Sequence, residues 1–352
     1  MADITIKDIA DKLGVSPATV SLAINDRPGV NAQTRQRVLK LVEELNYTAA
    51  NFLHTRKNQR NNGILTFLVY KRSGKVIADT QFFTTLIESV ERAARKCDYT
   101  VALTYCENET QFLDNIRAIL ATNAAGLIIL GTEMQEKDIA LFEGIDIPMV
   151  LLDNDLLGLS IDTVMIHNTK GVWQAVNCLY EEGHTQIGYL QSSFSIRNFE
   201  YRFLSYKYTL DHLHLQYNSQ YTFSLDPSMD GSFEDMNALL QRHPKLPTAF
   251  MADNDLIAVG ALKAMRQNNI KIPEEVSVIG FDDIPMCTFI DPELASVAVP
   301  IEQLGTIAVE RLIQKVNDKK NSAALRIAVE TSFIKRGSVG KVNVHGKSSL
   351  GL

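Results

Sequence analysis

Residues 5–25 read TIKDIADKLGVSPATVSLAIN, and residues 30–47 read VNAQTRQRVLKLVEELNY. Ile6, Ile9, Ala10 and Leu13 recur at the spacing of one helical face, with Thr5 placed to cap it. Gly14 ends that helix, because glycine enters the left-handed region at little cost. Ser16 then caps a second helix whose first position is Pro17, where proline's missing N–H matters least. The inner face of this helix is Val20, Ala23 and Ile24, which turns Pro17, Ala18, Ser21, Leu22 and Asn25 outward. Asp26, Arg27, Pro28 and Gly29 have the composition of a turn. A third helix, from Ala32 to Leu45, repeats the apolar spacing through Val38, Leu41, Val42 and Leu45. Two short helices joined by a glycine turn and braced by a third form the helix-turn-helix arrangement. Three-helix bundles without a nucleic-acid partner share that outline, so the pattern alone leaves both readings open.

Charge separates this segment from the rest. The 352-residue chain carries a net charge of -6. Residues 1–60 hold nine basic and six acidic side chains, a surplus of +3, which leaves -9 for the remainder. A cationic head on an anionic body is what is expected when one end alone meets phosphate.

Residue by residue the two stretches resemble the head of the LacI-type (lactose/galactose repressor) family of bacterial transcription regulators. The resemblance implies a DNA-binding head over residues 1–47 whose second helix enters the major groove of a near-palindromic operator. Pro17, Ala18 and Leu22 would then face base edges. Thr19, Ser21, Asn25, Thr34 and Tyr47 would hold phosphates, and the caps Thr5 and Ser16 belong to the same DNA-facing set. Hydroxyls, amides and helix ends suit phosphate oxygens, while exposed side chains read the groove. Many relatives carry arginine where Leu22 stands, and arginine can make two hydrogen bonds to guanine. Leucine offers apolar contact only, for instance to a thymine methyl.

The match weakens over residues 48–61. In the family this hinge opens on a proline-asparagine pair and forms a short helix that wedges a leucine into the minor groove. Here Ala49 and Ala50 replace the pair, and Arg56 stands where the leucine is expected. An arginine can enter a narrow minor groove without prying bases apart. Alternatively Leu53, one turn earlier, is the wedge, or the segment is a basic linker held to phosphates by Arg56, Lys57 and Arg60. The departure bears on DNA bending rather than on DNA binding.

From residue 62 onward apolar strands alternate with amphipathic helices: strand Ile64–Tyr70, helix Phe82–Cys97, strand Tyr99–Tyr105, helix Glu109–Ala121, strands Gly126–Leu130 and Met149–Leu152. After His167 the rhythm repeats with helices at 170–181, 202–212, 233–242 and 256–267 and strands at 187–190, 249–251 and 277–280. Near-continuous apolar strands separated by helices mean parallel sheets covered on both faces. The fold class expected is therefore a small all-α head plus an α/β body of two lobes. EEGHTQIGYL (181–190), FMADNDLIAVGALKAM (250–265) and VSVIGFDDIPM (276–286) resemble recurring segments of the same family, whose body shares the periplasmic sugar-binding-protein fold. That resemblance implies lobes of 62–161 with 291–321 and of 162–290 with 322–340, followed by a frayed tail at 341–352.

In such folds ligands sit beyond the carboxyl ends of the strands. The residues matching the family's sugar-contacting positions are Asp153, Arg202, Asn254 and Asp282, with Phe83 where some relatives stack a flat ring or a sugar face. Carboxylates, an amide and a guanidinium converging on a cleft can exchange hydrogen bonds with adjacent hydroxyls. Each of Asp153, Asn254 and Asp282 has a structural alternative, because Asp and Asn at strand-helix turns commonly cap helices. Departures exist: Pro227 falls where some relatives offer tryptophan, and Gln81-Phe82-Phe83 lacks the usual preceding proline.

Other classes fit less well. P-loop, dinucleotide-fingerprint, zinc-protease and nucleophile-elbow motifs are absent from the sequence, so no catalytic residues, metal or cofactor are expected. Cys97, Cys106, Cys178 and Cys287 are scattered and read as small buried hydrophobes of a reducing compartment. No apolar run reaches the roughly 20 residues of a membrane helix, and the acidic start is unlike a signal peptide. The expectation is a cytoplasmic, homodimeric repressor whose operator affinity responds to a small effector, a sugar or sugar derivative. Purine or nucleoside effectors, effector-independent action and a solute-binding receptor are the alternatives. The receptor class lacks a helix-turn-helix and carries an export signal.

Overall fold

The computed structural model describes residues 6–24, 29–44, 62–77, 81–318 and 323–342. The chain divides into two compact units, Met1–Asn62 and Gly63–Leu352.

In the first unit, α1 (Ile6–Leu13), α2 (Pro17–Ile24) and α3 (Ala32–Glu44) enclose a core of Ile9, Ala10, Val20, Ala23 and Val38. Gly14 adopts φ +66°, the left-handed turn that stops α1. The Ser16 hydroxyl accepts the Thr19 amide at 3.1 Å and so caps α2. Asn31 caps α3 in the same manner, its Oδ1 accepting from the Thr34 amide at 2.7 Å.

The second unit contains two six-stranded sheets. The first runs β11-β5-β4-β3-β1-β2, where β1 is Gly63–Tyr70, β2 Tyr99–Cys106, β3 Gly126–Leu130, β4 Met149–Leu152, β5 Asp162–Ile166 and β11 Arg326–Val329. All its pairings are parallel. The second runs β12-β10-β9-β8-β6-β7, with β6 Ile187–Ser192, β7 Thr222–Leu225, β8 Ala249–Ala252, β9 Ser277–Asp282, β10 Ala295–Ala298 and β12 Ser332–Ile334. Here only the β10–β12 pair is antiparallel. Helices cover the faces: α4 (Gln81–Lys96), α5 (Glu109–Ala121) and α11 (Ile301–Asn317) on the first lobe, α6 (Asn168–Glu181), α7 (Arg197–His212), α8 (Met229–Leu240) and α9 (Asp255–Gln267) on the second. A four-residue helix, α10 (Met286–Phe289), follows β9.

The lobe boundaries differ from those expected. Residues 162–166 pair with β4 and β11 and belong to the first lobe, as does 326–329. Residues 295–298 pair with β9 in the second lobe, not the first. The chain therefore passes between lobes after β5, after β10 and after β11. The reason is energetic and non-local, because a short buried strand joins whichever sheet completes its ladder. Asp162 illustrates it. Its buried carboxylate accepts from Arg311 Nε at 2.7 Å and from the Leu325 amide at 2.8 Å, and pairs with Lys315. Burial alone would raise its pKa, but these cationic and amide donors outweigh burial and hold it low. A carboxylate inside a strand thus fastens α11 and β11 to the first lobe. At two of the passages the chain is tied to itself: the His167 amide donates to Val329 O at 2.9 Å, and Glu330 pairs with His167 and Lys170.

Candidate functional site: a cleft at the strand ends, and an exposed helix on the head

Both sheets of the second unit turn their carboxyl ends to a cavity of about 600 Å³. Asp153 follows β4, Asp253 and Asn254 follow β8, Asp282 ends β9, and α7 supplies Asn198 and Arg202. Two of these residues hold backbone that side chains rarely adopt, Asp153 at φ +63° and Asp282 at φ +113°. Such conformations are unfavourable by roughly 1–3 kcal/mol each and cluster where chain direction serves a site.

The polar side chains form one hydrogen-bonded network. Thr132 Oγ1 donates to Asp153 Oδ2 at 2.6 Å, and Asn198 Nδ2 donates to Asp153 Oδ1 at 2.8 Å. Asn198 Oδ1 accepts from Asn168 Nδ2 at 2.8 Å, and Asn168 Oδ1 accepts from Arg202 Nε at 2.9 Å. Arg202, 2% exposed, also donates to the Asp253 carbonyl and approaches Asp282 Oδ1 at 3.4 Å. Its guanidinium lies 3.6 Å from the centroid of the Phe281 ring, a cation–π contact in a desolvated setting. Burial drives the carboxyls upward: Asp282 to about 8 despite the opposing charge of Arg202, Asp253 to about 7, and Asp153 above its usual value. A cleft with one guanidinium among raised carboxyls can both donate and accept hydrogen bonds at neutral pH.

The structure brings together all five side chains expected to meet an effector: Phe83, Asp153, Arg202, Asn254 and Asp282 all line this cavity. Their local roles differ. Asn254 is the N-cap of α9, its Oδ1 accepting from the Ile257 amide at 2.9 Å, so the structural alternative and the cavity position coexist. Asp153 and Asp282 cap no helix and spend their oxygens on Thr132, Asn198 and Arg202. Gly280 owes its identity to Asp255, whose Oδ1 would sit 2.0 Å from any Cβ placed there. That carboxylate joins Ser296 Oγ at 2.6 Å and the Ile284 amide at 2.9 Å, bracing the loop that carries Pro285 and Met286 into the cavity wall.

Residues the sequence reading missed are Thr132, Asn198, Phe82, Phe199, Met286 and Phe289. Asn198 stands four residues before Arg202, hence on the same helical face, and that spacing could have found it. Phe289 carried no signal, because nothing in the sequence says that a single turn of helix follows β9.

On the head, Ser16, Pro17 and Ala18 are exposed, and Thr19, Ser21, Leu22 and Thr34 are half-buried. Of the α2 side chains expected to face outward, Pro17 and Ala18 do so, while Ser21 and Leu22 are half-buried, as is Ile24, which was expected to face inward. Thr5, Asn25, Tyr47, Leu53 and Arg56 lie outside the described residues, as does the tail from residue 343. Among the described residues no group of three or more His, Cys, Asp or Glu is arranged to hold a metal ion, and no helix is long and apolar enough to cross a membrane.

Comparison with known proteins adds two kinds of likeness. The profile "Bacterial regulatory proteins, lacI family" matches residues 5–49, and "Periplasmic binding protein-like domain" matches residues 176–339. Over 341 residues the chain is 30% identical to the HTH-type transcriptional repressor CytR of Escherichia coli (strain K12), covering 95% of this chain and 96% of that one. Among solved structures, the Lac repressor dimer bound to operator and the anti-inducer ONPF superposes with a TM-score of 0.72 at 22% identity, covering 96% of this chain and 100% of that one. The transcriptional regulator CelR–cellobiose complex superposes with a TM-score of 0.70 at 23% identity, with the same coverage.

Proposed function

Because the chain belongs to the LacI family of bacterial regulatory proteins, whose profile and full-length relatives it matches, we propose that its operator affinity is set by a small hydroxylated effector held in the cleft. The chain is a DNA-binding transcription regulator, as its repressor relatives are, and not an enzyme. Arg202, Asp153, Asn254 and Asp282 bind the effector's hydroxyls, and Phe83 lies against its less polar face. A sugar or sugar derivative suits these donors and acceptors, in keeping with the cellobiose complex of one structural neighbour. The regulator acts as a homodimer in the cytoplasm: one head makes few phosphate contacts, whereas a symmetric pair reads two half-sites together.

The observation that carries this reading is the position of Arg202. It is anchored on the second lobe yet linked through Asn168 and Asn198 to Asp153 of the first. An effector that replaces the Asn198–Asp153 contact binds one relative placement of the lobes better than another. Its affinity difference then becomes the coupling energy. On the head, the exposed face of α2 is the base-reading surface and Thr19, Ser21 and Thr34 hold phosphates.

Selection of binding sites from a random duplex pool tests the reading. Full-length protein enriches a near-palindrome, Pro17→Gly with Ala18→Asp abolishes the enrichment, and binding weakens steeply with salt. Enrichment unchanged by those substitutions overturns the assignment of α2. Operator affinity unaltered by saturating mixtures of sugars and nucleosides overturns the effector reading.

A further inference from the structure

We infer that Glu136 and Asp155 of the first lobe and Arg197 and Tyr201 of the second form a clasp that holds the lobes in the arrangement described above. These four are positioning residues: they set the balance between lobe placements on which an effector acts. The inference rests on the reading that lobe placement governs the head, and it concerns the regulation of that same cleft.

The clasp begins in the spacing of α7. Arg197 opens the helix and Tyr201 stands four residues on, so both side chains leave one face. Arg197 pairs with Glu136 and brings its Nε to 3.8 Å from Asp155 Oδ1. Its guanidinium lies 5.8 Å from the centroid of the Tyr201 ring, and its Nη1 is steadied by Glu200 at 3.0 Å. Tyr201 Oη donates to Asp155, 2.8 Å from Oδ1 and 3.0 Å from Oδ2. Burial, and then the carboxylate beside it, push the Tyr201 hydroxyl up to about 12, so it keeps its proton and remains a donor. The first lobe fixes the two acceptors on its own account. Glu136 Oε1 accepts from the Leu157 amide at 3.1 Å, and Asp155 Oδ2 accepts from Arg326 Nη1 at 3.0 Å. Acceptors held in place by their own lobe lose little freedom when the other lobe meets them.

Two observations give the clasp its weight. The first is burial: the Asp155 side chain is 8% exposed and that of Arg197 19%, so salt and water screen the pair weakly. Lys75 and Asp226 also meet across the lobes, but at 3.7 Å with 53% and 32% of their side chains exposed, and such a pair contributes little. The second is position. Ile196 and Asn198, on either side of Arg197, line the cavity, whereas none of the four clasp residues does. An effector can compete for the Asn198–Asp153 contact inside the cavity, but it meets no member of the clasp. The attraction therefore acts equally on every effector and enters the lobe equilibrium as a constant. A ligand moves that equilibrium only from the ratio at which it starts.

The test is a double-mutant cycle on the full-length protein, read in two ways with no effector added. The first readout is the distance between nitroxides carried on noncanonical residues at Asp146 and Lys245, measured in protein mixed with excess unlabelled chain so that single protomers are seen. Both positions are exposed and precede β4 and β8, on the far side of each sheet from the cavity. The second readout is affinity for the duplex that the wild-type protein enriches. Arg197→Ala moves the mean distance by about 3 Å or more and operator affinity by about threefold or more. Glu136→Ala moves both in the same direction, and the double variant goes no further than Arg197→Ala alone. Tyr201→Phe, which deletes one hydroxyl and keeps the ring, repeats the shift at smaller size. Arg92→Ala, which breaks an exposed pair with Glu302 inside the first lobe, moves neither. A distance unchanged in Arg197→Ala, or effects of Arg197→Ala and Glu136→Ala that simply add, overturns the clasp. A distance that moves while operator affinity stays constant upholds the clasp and instead removes the link between lobe placement and the head, so the two failures are told apart.

Discussion

Pro17 and Ala18 stand in solvent on a short helix, whereas Arg202 and Asp153 in the cleft are almost wholly enclosed. The head keeps its fold with a handful of apolar side chains and leaves Pro17 and Ala18, proposed to meet base edges, outside its core, so that they can change without cost to it. In the cleft the side chains proposed to bind the effector are also structural members: Arg202 holds Asn168, a carbonyl and Asp282 at once. Specificity and stability are separable in one region and fused in the other.

The sharpest way to break that contrast is Arg202→Ala. Removing the buried guanidinium leaves the Asn168 amide oxygen, the Asp253 main-chain carbonyl and the Asp282 carboxyl without their donor, which destabilises by about 1–3 kcal/mol for each acceptor left unpaired. The body's denaturation midpoint should fall accordingly, together with every effector response; a loss of response at unchanged stability would mean that the cleft is as separable as the head. Next is Ile9→Ala, in the head's small core, at about 2–5 kcal/mol. Circular dichroism and proteolysis should show the head opening while effector binding to the body persists. A smaller effect comes from Leu22→Arg, which supplies a bidentate donor for guanine worth about 1–3 kcal/mol of discrimination. Site selection should then gain a guanine in each half-site with no shift in melting temperature, and a preference that stays the same would remove Leu22 from the base-reading set.

The gentlest test uses pH. Burial holds Asp282 at about 8, with Asp253 near 7 and Asp255 near 6. Unfolded, all three ionise near pH 4. Because the folded protein keeps protons that the unfolded chain releases, their contribution is full below about pH 4 and is lost as pH rises through 6 to 8. Melting temperature should therefore decline from pH 6.5 to 8.5, and Asp282→Asn should make the decline shallower. An equal slope in the variant would show that Asp282 ionises freely in the fold.

The fold of the head was legible almost to the residue, because α1 and α2 match their expected bounds and Ser16 and Asn31 cap α2 and α3 locally. The body was legible as strands and helices but not as lobes. Periodicity identifies MVLL or GLIIL as strands, yet β5 opens on Asp162 and β12 spans three residues, and neither carries a pattern that names its sheet. The cavity followed the same division. Asp153, Asn254 and Asp282 sit at strand ends that sequence marks well, whereas Arg202, expected to open a helix, lies in the second turn of one that begins at Arg197; all four line the cavity. Thr132 lies just past the end of β3 and reaches the cavity beside Asp153, a contact between residues 21 apart in sequence, and Phe289 lines it from a single helical turn that carries no periodic signal.

The three passages of the chain between lobes bear on how such a protein can be remade. A lobe joined to its neighbour once is a module, to be cut out and exchanged at a single seam. Here each lobe is assembled from separate stretches of the chain, and its last strand is laid down only after the other lobe has been threaded. Swapping a lobe requires several joins to succeed together, and truncation at either of the first two passages leaves both sheets short of strands, at the third the second sheet alone. Lineages and engineers alike are thereby confined to point substitutions inside the cleft when they seek a new effector, while the head, attached at one seam, remains free to be traded whole.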